Sequence, residues 1–170
     1  MSSWEPLQFL LGSWSSPLSG QPGQGVSGAT TFSFDLDGRI MVRRSRAEFA
    51  PGPGEAQGLV HEDLLVIYQL PGEPPFRAIY FDNEGHTIHY SLRFPEKQPG
   101  VVFESESGLP GPRARLVYEL SEEDTLATEF FVAAPGGELL SHVKGTVKKV
   151  GEPARRRQAP ILTKTMQHNS

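Results

Sequence analysis

The stretch TTFSFDLDGRIMVRRSRAEF, residues 30–49, contains two runs of strand length on either side of Asp37 and Gly38. An Asp-Gly pair between two runs rich in aromatic and branched residues is typical of the tight turn in a β-hairpin. In the first run Phe32 and Phe34 fall on one face, opposite serine and threonine, as the two-residue period of a strand requires. The stretch therefore predicts an antiparallel hairpin with one apolar face.

The same punctuation recurs along the rest of the chain. Gly and Pro supply 18 and 15 of the 170 residues, and segments such as PGPGEAQG, DNEG, PEKQPG and GLPGP separate short apolar runs. Helical periodicity is confined to EPLQFLLG, residues 5–12, which predicts a short helical turn that plugs one end of the fold. About nine to ten antiparallel strands in sequence order remove their exposed edges by closing. We therefore expect residues 1–150 to form one all-β, up-and-down (meander) β-barrel, followed by a tail at residues 151–170.

The composition argues against several classes of function. The chain is long enough for one domain, and its net charge of -4, with acidic and basic residues interleaved, gives no broad basic surface for nucleic acid. The absence of cysteine excludes disulfide scaffolds, cysteine nucleophiles and thiolate metal sites. The N-terminus lacks the pattern of a secretion signal, and no run approaches the roughly 20 apolar residues that span a bilayer. The sequence predicts a cytoplasmic protein without a membrane span.

A barrel of slightly more than eight strands leaves an interior wide enough for one small, largely apolar ligand. The candidate cavity residues are Phe32, Phe34, Arg44, Tyr80 and Tyr90. Neither face of the strand RIMVRRSRAEF is cleanly apolar, so Arg44 is interpreted either as an anion-binding cavity residue or as part of a charged outer face. Tyr80 and Tyr90 each share a face with apolar neighbours, which favours an inward direction for both.

The histidines in the middle of the chain offer little for metal binding. His86 and His89 are three apart on a predicted strand and face opposite ways, so they cannot jointly hold one metal ion. His61 and Asp63 share a face, which suits metal binding, acid–base chemistry or a solvated edge. We therefore predict no metal site.

The residues Gly12, Ser13 and Trp14 follow the predicted helical turn and open the first strand. This Gly-x-Trp pattern resembles the entry signature of the lipocalin-like (calycin) barrels. In that superfamily a basic residue near the end of the last strand packs over the tryptophan, and the resemblance assigns this role to Lys149, or alternatively to Lys148. A lysine over an indole face combines a cation–π attraction with apolar contact along the lysine stem.

Within this superfamily the chain is similar to the nitrobindins and to neighbouring uncharacterised bacterial lipocalin-like families. The sequence LLSHVKGTVKK, residues 139–149, places His142 where nitrobindins have the proximal histidine of a haem. The resemblance therefore implies haem, held by His142, as an alternative ligand. The segment after Trp14 departs from the nitrobindin pattern, and strand alternation groups His142 with Lys144 on the face opposite the apolar one.

Three functional hypotheses remain open at this stage. The preferred one is a protein that binds a small, largely apolar molecule, without an assigned catalytic activity and with no cofactor firmly predicted. The others are a nitrobindin-like haem protein and a barrel enzyme of the isomerase or lyase type that uses Tyr80, Tyr90 and Arg44. No nucleophile–base pair or phosphate loop identifies a reaction. The tail at residues 151–170 is basic and then alternates, so we expect it to add a strand or to form a homodimer contact.

Overall fold

The fold is a closed antiparallel barrel in which each strand pairs with the next in sequence and the first pairs with the last. A computed structural model describes residues 4–16, 25–72 and 75–152. The described strands are β1 Gly12–Ser16, β2 Gly25–Asp35, β3 Ile40–Phe49, β4 Leu59–Gln69, β5 Phe76–Asp82, β6 Thr87–Arg93, β7 Gly100–Ser105, β8 Arg113–Glu122, β9 Thr125–Ala133 and β10 Leu140–Gly151. The predicted all-β meander barrel is confirmed.

The hairpin between β2 and β3 sets which residues of β3 face inward. Leu36, Asp37 and Gly38 all have positive φ angles, of 50°, 55° and 80°, and the Asp35 side chain accepts a hydrogen bond from the Leu36 amide at 2.8 Å. Aspartate and glycine adopt this left-handed geometry at low cost, and it matches the twist of a hairpin. The turn pairs Asp35 with Ile40.

A 3-10 helix, Glu5–Leu10, plugs one end of the barrel, as the sequence predicted. Leu7 and Leu10 are completely buried in the core, and Trp4 Nε1 donates a hydrogen bond to the Gly38 carbonyl at 2.9 Å. Burial of each leucine contributes about 1.5–3 kcal/mol relative to exposure. We call this end the closed end.

The barrel closes where β1 meets β10, and Trp14 lies at this seam. Trp14 pairs with Lys149, whose Nζ lies 5.7 Å from the centroid of the indole ring. The indole Nε1 donates to the Leu10 carbonyl at 2.8 Å. The structure therefore brings Trp14 and Lys149 into the contact that the calycin resemblance implied, and the same indole anchors the helix to the seam.

The core packs beneath the helix and, along β6 and β8, continues to Ile88 and Ala114 near the opposite end of the barrel. Its fully buried members include Phe32, Met41, Leu65, Ile67, Val101, Phe103 and Leu126. Of the predicted tail, only Gly151 and Glu152 are described, so its expected strand or dimer contact lies outside the described residues. In the part of the chain that the structure describes, no helix is long and apolar enough to cross a membrane.

Candidate functional site

The interior changes from apolar to polar toward the end of the barrel opposite the helix. Interior-facing residues of several strands meet there, and we call this region the open half. It is formed by Arg43, His61, Asp63, Tyr80, Tyr118, Thr128, Phe130, Val143 and Gly145. Polar side chains cost free energy when they are buried without partners, so each buried polar side chain of this region is expected to have a hydrogen-bond or charge partner.

Arg43 lies at the floor of the open half and is only 4% exposed. One terminal nitrogen donates to the Tyr118 hydroxyl at 2.6 Å, and the other donates to Asp63. The guanidinium carbon lies 5.8 Å from the ring centroid of Tyr80 and 6.0 Å from that of Tyr118. Its Nε is buried and has no hydrogen-bond partner among the described residues. One donor of this arginine is therefore left over inside the barrel.

The charge of Arg43 is retained despite its burial. Burial by itself lowers the pKa of a guanidinium, but Tyr118 and Asp63 more than offset this effect and raise the pKa of Arg43 above its ordinary value. Asp63 is itself almost completely buried, with a side chain 9% exposed. The two residues therefore form a buried ion pair between β3 and β4.

His61 lies above this pair and is held by three oxygen atoms. Its Nδ1 is 3.1 Å from Glu84 Oε1, and its Nε2 is 3.1 Å from the Tyr80 hydroxyl and 3.6 Å from Asp63 Oδ2. The Tyr80 hydroxyl donates its hydrogen to Asp82 at 3.2 Å. Since that hydrogen is engaged, Nε2 of His61 is the donor toward Tyr80, while Nδ1 donates to Glu84.

Two donating nitrogens make His61 an imidazolium. The hydrogen bond to Asp63, followed by that to Glu84, raises the pKa of His61 to about 9, and partial burial opposes them only in part. His61 is therefore positively charged at neutral pH. Its charge lies next to two carboxylates, so the group as a whole is not strongly positive.

Asp82 fixes the turn between β5 and β6 and supports Tyr80. One of its oxygens accepts the backbone amides of Glu84 and His86, at 3.0 and 2.8 Å, and the other lies 2.9 Å from His86 Nδ1. Burial alone raises the pKa of Asp82, but the hydrogen bonds from His86 outweigh it and lower this pKa. Asp82 therefore stays an acceptor for the Tyr80 hydroxyl.

The three tyrosines of the interior remain neutral phenols. Burial raises the pKa of Tyr80, Tyr90 and Tyr118, and for Tyr80 the nearby charges of Asp63 and Asp82 raise it further. Arg43 lowers the pKa of each, but less than burial raises it. A hydroxyl with a raised pKa is a weak acid, so these groups are suited to hydrogen bonding more than to proton transfer.

Several inward-facing positions of the open half are not covered by neighbouring side chains. A Cβ added at Gly145 would meet nothing within 4 Å, although Gly145 pairs with Thr128, and Val143 is 48% exposed although it pairs with Phe130. Phe130 packs against the core with one part of its surface. The region thus combines an apolar wall with a polar floor.

The five predicted cavity residues are distributed over four environments. Tyr80 lies in the open half, whereas Phe32 and Tyr90 are buried in the packed core, in edge contact with Tyr118 and Phe103 respectively. Phe34 lies at the closed end, 37% exposed, with its ring 5.4 Å from that of Trp4.

Arg44, the fifth candidate, is exposed on the outer wall, and the interior arginine is its neighbour Arg43. The assignment of Arg44 to the cavity is therefore corrected. The alternation along β3 is ambiguous in sequence because both faces carry an arginine. Arg43 faces inward in the register that the hairpin sets, in which it pairs with Phe32, and its guanidinium binds Asp63 and Tyr118 of other strands.

The outer wall has a shallow depression of about 530 Å³ that includes Arg44, Arg46 and Phe81. Arg46 is paired there with Glu62 at 2.6 Å and with Glu48 at 2.9 Å. Since Arg46 is paired with two carboxylates and the side chains are solvated, this depression is a less specific site than the open half.

His142 lies at the rim of the open half, in an irregularity of β10. The pairing of β9 and β10 shifts between Ser141 and Val143, which leaves His142 unpaired as the extra residue of a bulge. Its ring centroid lies 6.2 Å from that of Phe130, an interior-facing residue. The alternation that grouped His142 with Lys144 is therefore interrupted at this point.

Of the polar residues at the site, sequence reasoning placed His61 and Asp63 on one face but did not connect them to Arg43 or Tyr118. The strand alternation contained a signal for Arg43, since it groups Arg43 with Met41 and Ser45 on the face of β3 opposite Arg44. Among the residues that the structure describes, no three histidine or carboxylate side chains converge as metal ligands. The sequence matches no family model, and a search of the curated proteins finds no match.

Proposed function

We propose that this protein binds one small, largely apolar molecule in the open half of the barrel. The observation that carries the proposal is that inward-facing positions there, Gly145 and Val143, border space that no other side chain fills. Small-molecule sites are concave, largely apolar and supplied with a few placed polar groups. Phe130 and Val143 provide the apolar wall, and the floor at Arg43 and Tyr118 provides the polar groups.

A binding role agrees better with this chemistry than an enzymatic one. The titratable groups are engaged with one another: Arg43 with Asp63, and His61 with Glu84. The phenols are held neutral by burial. General acid–base catalysis needs a group whose pKa lies near the working pH and that reaches the substrate, and the pKa of His61, about 9, is displaced by its carboxylate partners.

The test is the binding of 1-aminoanthracene, an uncharged fluorescent probe, to the wild-type protein and to two variants of β10. Gly145→Leu would fill the open half, and Thr146→Leu adds the same side chain to the outer face of the same strand. We expect saturable fluorescence enhancement with the wild type and Thr146→Leu, and its loss in Gly145→Leu at an unchanged melting temperature. Equal binding by all three would refute the open half as the site.

Haem binding by His142 is the second candidate, and the bulge in β10 favours it. The bulge sets the imidazole beside Phe130 at the rim of the barrel interior instead of leaving it in regular alternation. A haem held there would need further apolar cover beyond Phe130 and Val143. Titration with ferric haem should give a saturable Soret shift that His142→Ala abolishes and His89→Ala retains. A shift that survives in His142→Ala would reject this role.

A further inference from the structure

The floor of the open half identifies the chemical class of the ligand. This inference rests on the proposed function. We propose that the ligand is an uncharged molecule and that one of its oxygen atoms, of the carbonyl type, accepts a hydrogen bond from the Nε–H of Arg43. The ligand would thus be apolar over most of its surface, neutral, and equipped with one acceptor at its inner end.

One hydrogen-bond donor of Arg43 is unused. Arg43 is 4% exposed, and its two terminal nitrogens are engaged by Tyr118 and Asp63, but its Nε has no partner among the described residues. A buried donor without an acceptor costs about 1–3 kcal/mol. A ligand oxygen at this position would recover that cost, so the site selects for an acceptor.

The charged groups near that donor are already paired with one another. The positive charge of Arg43 is already matched by Asp63, and the charge of His61 by Glu84, with Asp63 Oδ2 also only 3.6 Å from His61 Nε2. A fifth group, Asp82, adds a negative charge from β5, where its side chain is 4% exposed. Of these carboxylates, Asp63 is the one bound to the guanidinium of Arg43, whereas Glu84 is 42% exposed and Asp82 lies 2.9 Å from His86 Nδ1.

A carboxylate ligand would be placed close to the buried carboxylate of Asp63. Its oxygen at Arg43 Nε would lie near the Asp63 carboxylate, which binds the same guanidinium. Like charges brought together in a site of low polarity repel strongly and are used to reject wrong ligands. A ketone, ester or amide oxygen supplies the hydrogen bond without the repulsion.

The flanking rings define the shape of the inner end. The guanidinium carbon of Arg43 lies within 5.8 Å of the Tyr80 ring centroid and 6.0 Å of the Tyr118 centroid, so an approaching ligand group meets aromatic surface on its way to Nε. Flat apolar groups pack well against such rings. An aryl carbonyl compound is therefore a suitable probe.

The experiment compares 2-naphthamide with 2-naphthoate, which share one ring system and differ in charge. Binding is followed through the Arg43 Nε–H resonance in ¹H–¹⁵N spectra at neutral pH, identified by its disappearance in Arg43→Lys and its persistence in Arg44→Lys. We expect a saturable shift of this resonance with 2-naphthamide. We expect 2-naphthoate to bind at least roughly tenfold more weakly.

Equal or tighter binding of 2-naphthoate would overturn the inference, and so would 2-naphthamide binding that leaves the Arg43 Nε–H resonance unmoved. These failures are distinct from a failure of the proposed function. If 1-aminoanthracene still binds in a manner that Gly145→Leu abolishes, the open half remains the site and only the ligand class is wrong. Asp63→Asn removes one negative charge and keeps a side chain of similar shape. In this variant the affinity for 2-naphthamide relative to that for 2-naphthoate should decrease; an unchanged ratio would contradict the role given to Asp63.

Discussion

Arg43 and Arg44 are adjacent in sequence and lie on opposite sides of the barrel wall, which makes them a matched pair for testing the buried ion pair. Arg43→Met would remove the guanidinium partner of the buried Asp63 carboxylate and leave it with His61, whose Nε2 is 3.6 Å from Asp63 Oδ2; breaking such a buried pair costs about 3–5 kcal/mol. Arg44→Met changes an exposed side chain and should alter the free energy of unfolding by no more than about 0.5 kcal/mol. Urea denaturation of the two variants measures both values, and similar losses would contradict the assignment of Arg43 to the interior.

The imidazole of His61 gives a prediction for pH dependence. Its pKa of about 9 in the folded protein exceeds the unfolded value of about 6.5, so its ion pairs stabilise the fold fully below about pH 6.5, and this contribution is lost as the pH rises through 9. The stability difference between wild type and His61→Gln should therefore shrink from acidic toward alkaline pH.

Histidine ring resonances in NMR spectra measure that pKa directly. Glu84→Gln removes one of the two carboxylate partners and should lower the pKa of His61, but only in part, because Asp63 remains and makes the larger contribution. A His61 that titrates near 6.5 in the wild type would show that the carboxylates do not hold the imidazolium as the geometry indicates.

The 3-10 helix covers one end of the barrel and contributes buried side chains to the core. Leu7 of this helix is completely buried, whereas Gln8 is exposed. Leu7→Ala therefore tests what the helix contributes to the core, and Gln8→Ala is the control substitution in the same helix. We expect a loss of about 2–5 kcal/mol for the first, because a cavity opens under the helix. Gln8→Ala should change the stability by no more than about 0.5 kcal/mol. Thermal denaturation that gave equal midpoints would show that the helix is not part of the cooperative core.

At the seam between β1 and β10 a glycine is required by contact as well as by conformation. Gly12 has a φ of 126°, and a Cβ there would lie 2.8 Å from Lys149 Cε and 2.9 Å from the Gly151 carbonyl. Gly38 also has a positive φ, of 80°, but nothing lies within 4 Å of its added Cβ. Gly38→Ala should therefore cost about 1 kcal/mol from backbone strain alone.

Gly12→Ala adds a steric conflict with the backbone of β10 to the same strain, so we expect a cost of about 2–4 kcal/mol. Denaturation of both variants by guanidinium chloride shows which substitution lowers the free energy of unfolding more. A larger loss for Gly38→Ala would mean that the seam adapts and that the hairpin turn is the stricter constraint.

The elements were predictable because their signals are local. The Asp37-Gly38 turn, the alternation of Phe32 and Phe34, and the apolar residues before Gly12 each lie within a few neighbours in sequence. The site was less predictable because its contacts are not local. Arg43 is 20 residues from Asp63 and 75 residues from Tyr118, and both faces of its strand carry an arginine. Only the closed barrel brings these three side chains together.

At the scale of the whole molecule, packed core residues and the open half, which we propose as the ligand site, divide the interior of the barrel. Phe103 is completely buried and makes edge contacts with Tyr90 and Tyr118, at centroid distances of 5.9 and 6.3 Å. Phe130 is only partly buried and faces the open half. Two phenylalanines on interior faces therefore differ in burial, and the proposed function assigns only Phe130 to the binding site.

Substitution of these two residues by alanine should separate stability from binding. Phe103→Ala should lower the free energy of unfolding by about 3–5 kcal/mol, because it empties a packed position. Phe130→Ala should lower it by about 1 kcal/mol and yet weaken 1-aminoanthracene binding several-fold, since it removes part of the apolar wall. Urea denaturation and a fluorescence titration measure the two quantities on each variant. If Phe130→Ala destabilised the fold as much as Phe103→Ala while binding stayed intact, the open half would be part of the core, and the division of the barrel into two halves would be wrong.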